Sequence, residues 1–325
     1  MASRFRIDSF EDAETKWRVF ELAYEADDSD QSLYAGIVPE AGANLYSLRI
    51  GKDELLWQAP SIRDVQSREY GIPVLYPTPN RVRNSELKFS KEIFRFPPNW
   101  KEHFLHGLVH GTPWKMDHFE ADSDKALVRC DVDFHPGHPL FELWPFDHRI
   151  RMDFQLESDG VRIFFRIHNR DSRPLPFGFG LHPFFKYLDN KQDTRLCVPA
   201  SKHMKAVDLL PTGELEPLHP PYDIDSPKPL SDIYLDDVFL GIRPETPAWF
   251  EMVNKRIKVT LEASKEFTHM VIFSEIPDFF CVENQTCSTD AHNLYDQGFI
   301  KESHLLIAEP GQEMSMWVKY RIEKL

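Results

Sequence analysis

Residues 126–167 read ALVRCDVDFHPGHPLFELWPFDHRIRMDFQLESDGVRIFFRI. Ala126, Val128, Cys130, Val132 and Phe134 alternate with Arg129, Asp131 and Asp133; Ile150, Met152, Phe154 and Leu156 alternate with Arg149, Arg151, Asp153 and Gln155. A period of two puts apolar side chains on one face of an extended chain and charged ones on the other, so each run predicts a half-buried strand. After Ser158-Asp159-Gly160 the pattern resumes with Val161, Ile163, Phe165 and Ile167. The pair predicts a hairpin in which Asp-Gly supplies the positive backbone angles of a tight turn.

Further strand-like runs lie at residues 17–22, 33–38, 45–50, 257–261, 270–273, 280–282 and 316–322. Helical periodicity is scarce, and only residues 62–69 are expected to form a short helix. So many one-faced strands predict an all-β chain of stacked antiparallel sheets. The proline-rich run PTGELEPLHPPYDIDSPKP (211–229) is expected to be a long surface excursion, because proline cannot donate to a sheet ladder. It leads into SDIYLDDVFLG, which puts Asp236 and Asp237 at the edge of a rigid element beside a loop able to cover a site. With no internal repeat and no linker, residues 1–325 are read as one domain.

A chain of 325 residues with 42% hydrophobic content can bury a large core. Its 52 acidic residues against 38 basic ones, a formal charge of −14, oppose binding to a phosphate backbone or an anionic membrane, so neither nucleic acid nor membrane is expected as a partner. The N-terminus, MASRFRIDSFEDAETKW, is charged from its fourth residue, and no later segment approaches the apolar length of a membrane span. A soluble, cytoplasmic chain is expected. Its four cysteines, Cys130, Cys197, Cys281 and Cys287, lack CxxC spacing and read as reduced thiols.

Two residues carry the strongest chemical signal. His182 lies in FGFGLHPFFKY and Glu283 in DFFCVENQTCSTDAHNL; each follows a strand-like apolar segment that would partly desolvate it. Together they read as a general acid and a general base aimed at a shared pocket. YPTPNRVRN (76–84) adds Asn80, Arg81 and Arg83, and LHGLVHGTPW (105–114) adds His106 and His110. The spacing of His106 and His110, and the pair His135 and His138, invite a metal reading. Gly107 and Gly111-Thr112-Pro113 disfavour the helix that would align the first pair, and no third ligand follows at a recognisable spacing, so no metal is expected.

These four runs, in this order and with an Asp between the last two, resemble the aldose 1-epimerase (mutarotase) family from about residue 30 to the end. The resemblance implies the large galactose mutarotase-like β-sandwich with few short helices. It also implies a cofactor-free isomerase that interconverts the α and β anomers of a hexose. His182 would be the acid and Glu283 the base, with Asn80, Arg81, His106 and Asp237 binding a small-molecule sugar; Arg83, His110 and Asp236 stand as register alternatives. Trp100, Trp114 and Trp144 are candidate stacking platforms.

Asn284, where many relatives have proline, and the short separation of His182 from Glu283 lean toward the branch that includes hexose-6-phosphate mutarotases. Against that, no compact basic cluster serves a phosphate; Arg83 with Lys88 or Arg95 is the nearest set. Two other functions compete. One is a glycoside-cleaving enzyme using Glu283 with Asp237, the other a non-catalytic sugar-binding protein of the same fold.

Overall fold

The computed structural model describes residues 4–325, and antiparallel ladders gather most of its strands into three large sheets. The first is a five-stranded meander in chain order: Phe5–Glu11, Arg18–Tyr24, Leu33–Val38, Asn44–Ile50 and Asp53–Glu54. The second has nine strands, in the order Lys115–Ala121, Ala126–Phe134, His148–Glu157, Gly160–Asn169, Glu313–Lys324, Ile257–Ala263, Ala248–Met252, Thr194–Cys197 and Lys228–Pro229. The third has eight. Its path runs Leu210–Glu216, Lys202–Val207, Asp236–Leu240, His269–Phe273, Phe279–Gln285, Gly180–Leu181 and Val74–Leu75, and Phe184–Lys186 also pairs with Phe279–Gln285.

Alternation becomes register in the nine-stranded sheet. Arg129 stands opposite Asp153, Asp131 opposite Arg151, and Asp133 opposite Arg149, so the polar face is a ladder of cross-strand ion pairs. The other face is apolar: Val128, Cys130, Phe134, Ile150, Met152, Phe154 and Phe165 are buried. It packs on the eight-stranded sheet through ring contacts, with Phe165 stacked on Phe179 at 3.9 Å, Phe250 edge-on to Phe280 at 5.0 Å and Phe185 near Tyr320 at 5.9 Å. Buried residues from all three sheets belong to one contiguous hydrophobic cluster.

Three local expectations need correction. In the hairpin, Glu157 pairs with Gly160, so the turn's central residues are Ser158 and Asp159, and among these four residues only Gly160 has a positive φ, 150°. Glycine is needed there because a Cβ would collide with the carbonyl of Tyr320 on the neighbouring strand. Within 62–69 the structure forms only a four-residue 3-10 turn, Arg63–Gln66; the two α-helices, Ala291–Asp296 and Ile300–Ser303, lie elsewhere and are too short to show a helical period. The proline-rich run is not wholly a loop, because Leu210–Glu216 is the terminal strand of the eight-stranded sheet, an edge position where Pro211 is tolerated. No helix among the described residues is long and apolar enough to cross a membrane.

Candidate active site

The strands Asp236–Leu240, His269–Phe273, Phe279–Gln285 and Phe184–Lys186 of the eight-stranded sheet meet at a cleft of about 380 Å³, which falls in the range of small-molecule sites. Its polar wall is Arg68, Glu69, Asn80, Arg81, His106, His182, Asp236 and Glu283, and its apolar wall is Phe184, Phe273, Ile276 and Phe279. Glu283 sits inside the strand Phe279–Gln285, opposite Val271, and is 2% exposed. His182 follows the short strand Gly180–Leu181, where its backbone N–H donates to Pro73 and its ring stacks on Phe184 at 4.4 Å. The result is that His182 Nε2 lies 3.4 Å from Glu283 Oε1.

Burial governs the protonation of this pair. It pushes the His182 imidazole down to about 3, with His110, Arg68 and Arg81 acting in the same direction. Burial likewise pushes the Glu283 carboxyl well above its ordinary range; Asp236 adds to that, and the hydrogen bond from Gln285 and the charge of Arg81 oppose it. Both shifts favour neutral forms, so near neutrality the two groups hold one dissociable proton between them. Gln285 Nε2 donates to Glu283 Oε2 at 2.9 Å, which leaves Oε1 facing the imidazole. Sequence reading missed Gln285, although residues two apart on a strand share a face.

Arg81 is held from several sides. Its backbone N–H and Nη1 donate to Asn80 Oδ1 at 2.9 and 3.0 Å, its Nη2 donates to Asp236 Oδ2 at 2.9 Å, and its guanidinium lies 4.6 Å above the Trp100 ring. Asn80 adopts φ 57°, a left-handed conformation that Asn tolerates, and its carbonyl accepts from the backbone N–H of His106. His106 in turn has φ 68° and precedes Gly107, at φ 73°, where a Cβ would strike the backbone of Tyr76. The His106 and His182 rings meet edge to face at 4.8 Å. Burial first, then the charges of His182, His110, Arg68 and Arg81, push His106 well down, which keeps its ring neutral.

The cleft therefore brings together His182, Glu283, Asn80, Arg81 and His106, and of the two adjacent carboxylates it is lined by Asp236 rather than Asp237. Asp236 lines the cleft, whereas adjacent strand residues point oppositely, and Asp237 Oδ1 is bonded to His203 Nε2 at 2.9 Å away from it. Arg83 is also elsewhere. After Val82 the backbone leaves the extended conformation, Asn84 and Ser85 have positive φ, and the Arg83 side chain pairs with Asp290 and the Pro211 carbonyl. His110 lies behind His106, outside the lining. None of Arg83, Lys88 and Arg95 lines the cleft, and Arg95 is paired with Glu86. No tryptophan lines it either: Trp144 and Trp114 are core residues and Trp100 supports Arg81, so Phe184, Phe273 and Phe279 form the aromatic wall. Arg68 and Glu69, in the segment expected to be helical, carried no sequence signal.

The aldose 1-epimerase family model matches residues 29–321. The chain belongs to the aldose 1-epimerase family. Among its relatives, YphB of Escherichia coli is 25% identical over 262 residues, covering 77% of this chain and 83% of that one. A galactose mutarotase-like protein from Clostridium acetobutylicum superposes with a TM-score of 0.86 at 21% identity, covering 99% of both chains. A galactose 1-epimerase from Lactobacillus acidophilus gives 0.77 at 15% identity, again over 99% of each. These likenesses show that the stacked antiparallel sheets are the galactose mutarotase-like fold.

Proposed function

We propose that this aldose 1-epimerase family member interconverts the α and β anomers of an aldohexose, with His182 as the acid and Glu283 as the base. The observation that carries the reading is the buried His182–Glu283 contact of 3.4 Å on the floor of a sugar-sized cleft. Opening a hemiacetal needs a proton given to the ring oxygen and one taken from the anomeric hydroxyl. A pair sharing one proton meets both needs: in its imidazolium–carboxylate arrangement, which the bound sugar must favour over the neutral one, ring opening carries that proton from the imidazole to the carboxylate by way of the sugar. Rotation about the bond to the anomeric carbon and the reverse transfer close the other anomer, leaving the pair as it began.

The remaining wall supports the same reading. Arg81, fixed by Asn80, Asp236 and Trp100, offers planar donors to vicinal hydroxyls, and Asp236 accepts from them. The ring's apolar face packs on Phe184 and Phe279. Of the two cations lining the cleft, Arg81 is paired with Asp236 and Arg68 shares the wall with Glu69, so a neutral hexose fits better than a hexose phosphate. A glycoside-cleaving pair of Glu283 and Asp237 lacks support, because Asp237 is bonded to His203 outside the cleft. Four free, buried cysteines favour a reducing compartment such as the cytoplasm.

The test is polarimetric relaxation of a freshly dissolved pure anomer. His182→Asn and Glu283→Gln are each expected to lower kcat by at least ~100-fold, since each removes one proton-transfer partner. Near-normal turnover in Glu283→Gln assigns the base elsewhere and defeats the proposal.

A further inference from the structure

Buried beside Glu283, just outside the cleft lining, is a thiol that proton transfer does not use, that of Cys281. Cys281 and Glu283 are two residues apart on the strand Phe279–Gln285 and so share a face. One donor atom each from His182, Cys281 and Glu283 lies within 4.8 Å of the others, and all three residues are buried. A tetrahedral Zn²⁺ with bonds of about 2.0–2.3 Å separates its donors by about 3.3–3.8 Å. The His182–Glu283 distance of 3.4 Å already matches such an edge.

We propose that His182, Cys281 and Glu283 form a zinc-binding site, and that Zn²⁺ bound there blocks the cleft's chemistry. The donor set is that of a borderline-soft divalent ion: one imidazole, one thiolate and one carboxylate. Charge balances in the buried site, because the thiol and the carboxyl release their protons to water and the two anions neutralise the dication. Three protein donors leave the fourth position open to the cleft, where a water completes the shell. Gln285 holds Glu283 Oε2, so Oε1 is presented toward the ion without rearrangement of the strand. The ion occupies the two groups that move protons and therefore acts as an inhibitor. Binding of the ion stands apart from the mutarotase reading; only the inhibition rests on it.

Cobalt(II) is the direct probe, because a thiolate ligand gives it a sulfur-to-metal charge-transfer band. Titrating the purified full chain with Co²⁺ is expected to produce that band and saturate at one equivalent, with Zn²⁺ displacing it. Cys281→Ser is expected to lose the band, and His182→Asn, altered on the other segment, to weaken Co²⁺ binding by at least ~100-fold while keeping the fold by circular dichroism. In anomer exchange, Zn²⁺ is expected to inhibit the wild type reversibly to chelator and competitively with sugar. Relative to its own zinc-free rate, Cys281→Ser is expected to need at least ~100-fold more Zn²⁺ for the same inhibition. A wild type with no band, or a band that persists in Cys281→Ser, overturns the site. Stoichiometric Co²⁺ binding lost in both variants, in a protein without mutarotase activity, upholds the site and refutes only the function.

Discussion

The charged ladder of the nine-stranded sheet and the cleft wall of the eight-stranded sheet handle polar groups in opposite ways. On the former, Arg129, Asp131, Asp133, Arg149, Arg151 and Asp153 all meet a counter-charge, and Asp153, 1% exposed, accepts from both Arg129 and Arg166 at 2.7–2.8 Å. Around the cleft, Arg81 Nε, His106 Nδ1, His182 Nδ1 and Gln285 Oε1 are buried without a hydrogen-bond partner. Satisfied polar groups specify a scaffold; unsatisfied ones cost stability and are retained where a ligand can use them. The difference separates what holds the fold from what acts on a substrate, and each half can be disturbed alone.

The largest effect is expected in the scaffold. Phe165 is buried against Phe179, Tyr76 and Phe177, and Phe165→Ala should cost about 3–5 kcal/mol of unfolding free energy, read from urea denaturation. Breaking the ion-pair ladder with Asp153→Ala should cost about 2–4 kcal/mol, because two partly buried guanidinium groups lose their acceptor, yet kcat in the surviving folded protein should stay within a factor of about two.

Glu283→Gln should show the reverse pattern, with catalysis lost and stability kept or raised above neutral pH. The sign follows from burial: the folded carboxyl binds its proton more tightly than the unfolded one, so ionisation destabilises the fold as pH rises through the folded pKa, and an amide has no such loss. Thermal unfolding at pH 8 checks it, and a strongly destabilised Gln variant would mean that the Glu283 carboxylate holds the fold rather than acting on substrate.

Acid should weaken the whole molecule. Burial pushes His148, His269 and His292 down to about 3, so between that value and the ordinary value near 6.5 the unfolded chain binds more protons than the folded one. Stability should therefore be complete above pH about 6.5 and fall below it, by up to about 1.4 kcal/mol per pH unit for each histidine. Urea midpoints at pH 7.5, 6.0 and 5.0 measure the slope, and a flat profile would mean these rings are charged or exposed. The smallest effect distinguishes two adjacent carboxylates: Asp236→Asn should raise KM about 10-fold, and Asp237→Asn should change it less than about 2-fold.

Long strands were legible because charge and apolarity alternate over enough residues to fix both faces, as in Ala126–Phe134 and Gly160–Asn169. Two-residue strands such as Val74–Leu75 and Gly180–Leu181 carry no period, and they are among the elements that shape the cleft. His182 and Glu283 stood out because an ionisable group among apolar neighbours needs a chemical reason. Asp236 and Asp237 could not be ordered from sequence, since choosing between adjacent residues requires the face of the strand. Arg83 was misleading for a related reason: its alternation with Arg81 assumed an extended chain that ends at Val82. Gln285 and Cys281 were available in principle, as the same-face neighbours of Glu283 on either side.

The central claim is that the buried His182–Glu283 pair exchanges anomers of a free hexose. NMR exchange spectroscopy on glucose and galactose at equilibrium measures it without a coupled reaction, by the cross-peaks that link the α and β anomeric protons. The expected result is exchange that scales with protein concentration and returns to the buffer rate in Glu283→Gln and in His182→Asn. Exchange at the buffer rate with the wild-type protein, on free hexoses at saturating concentration, would contradict the account.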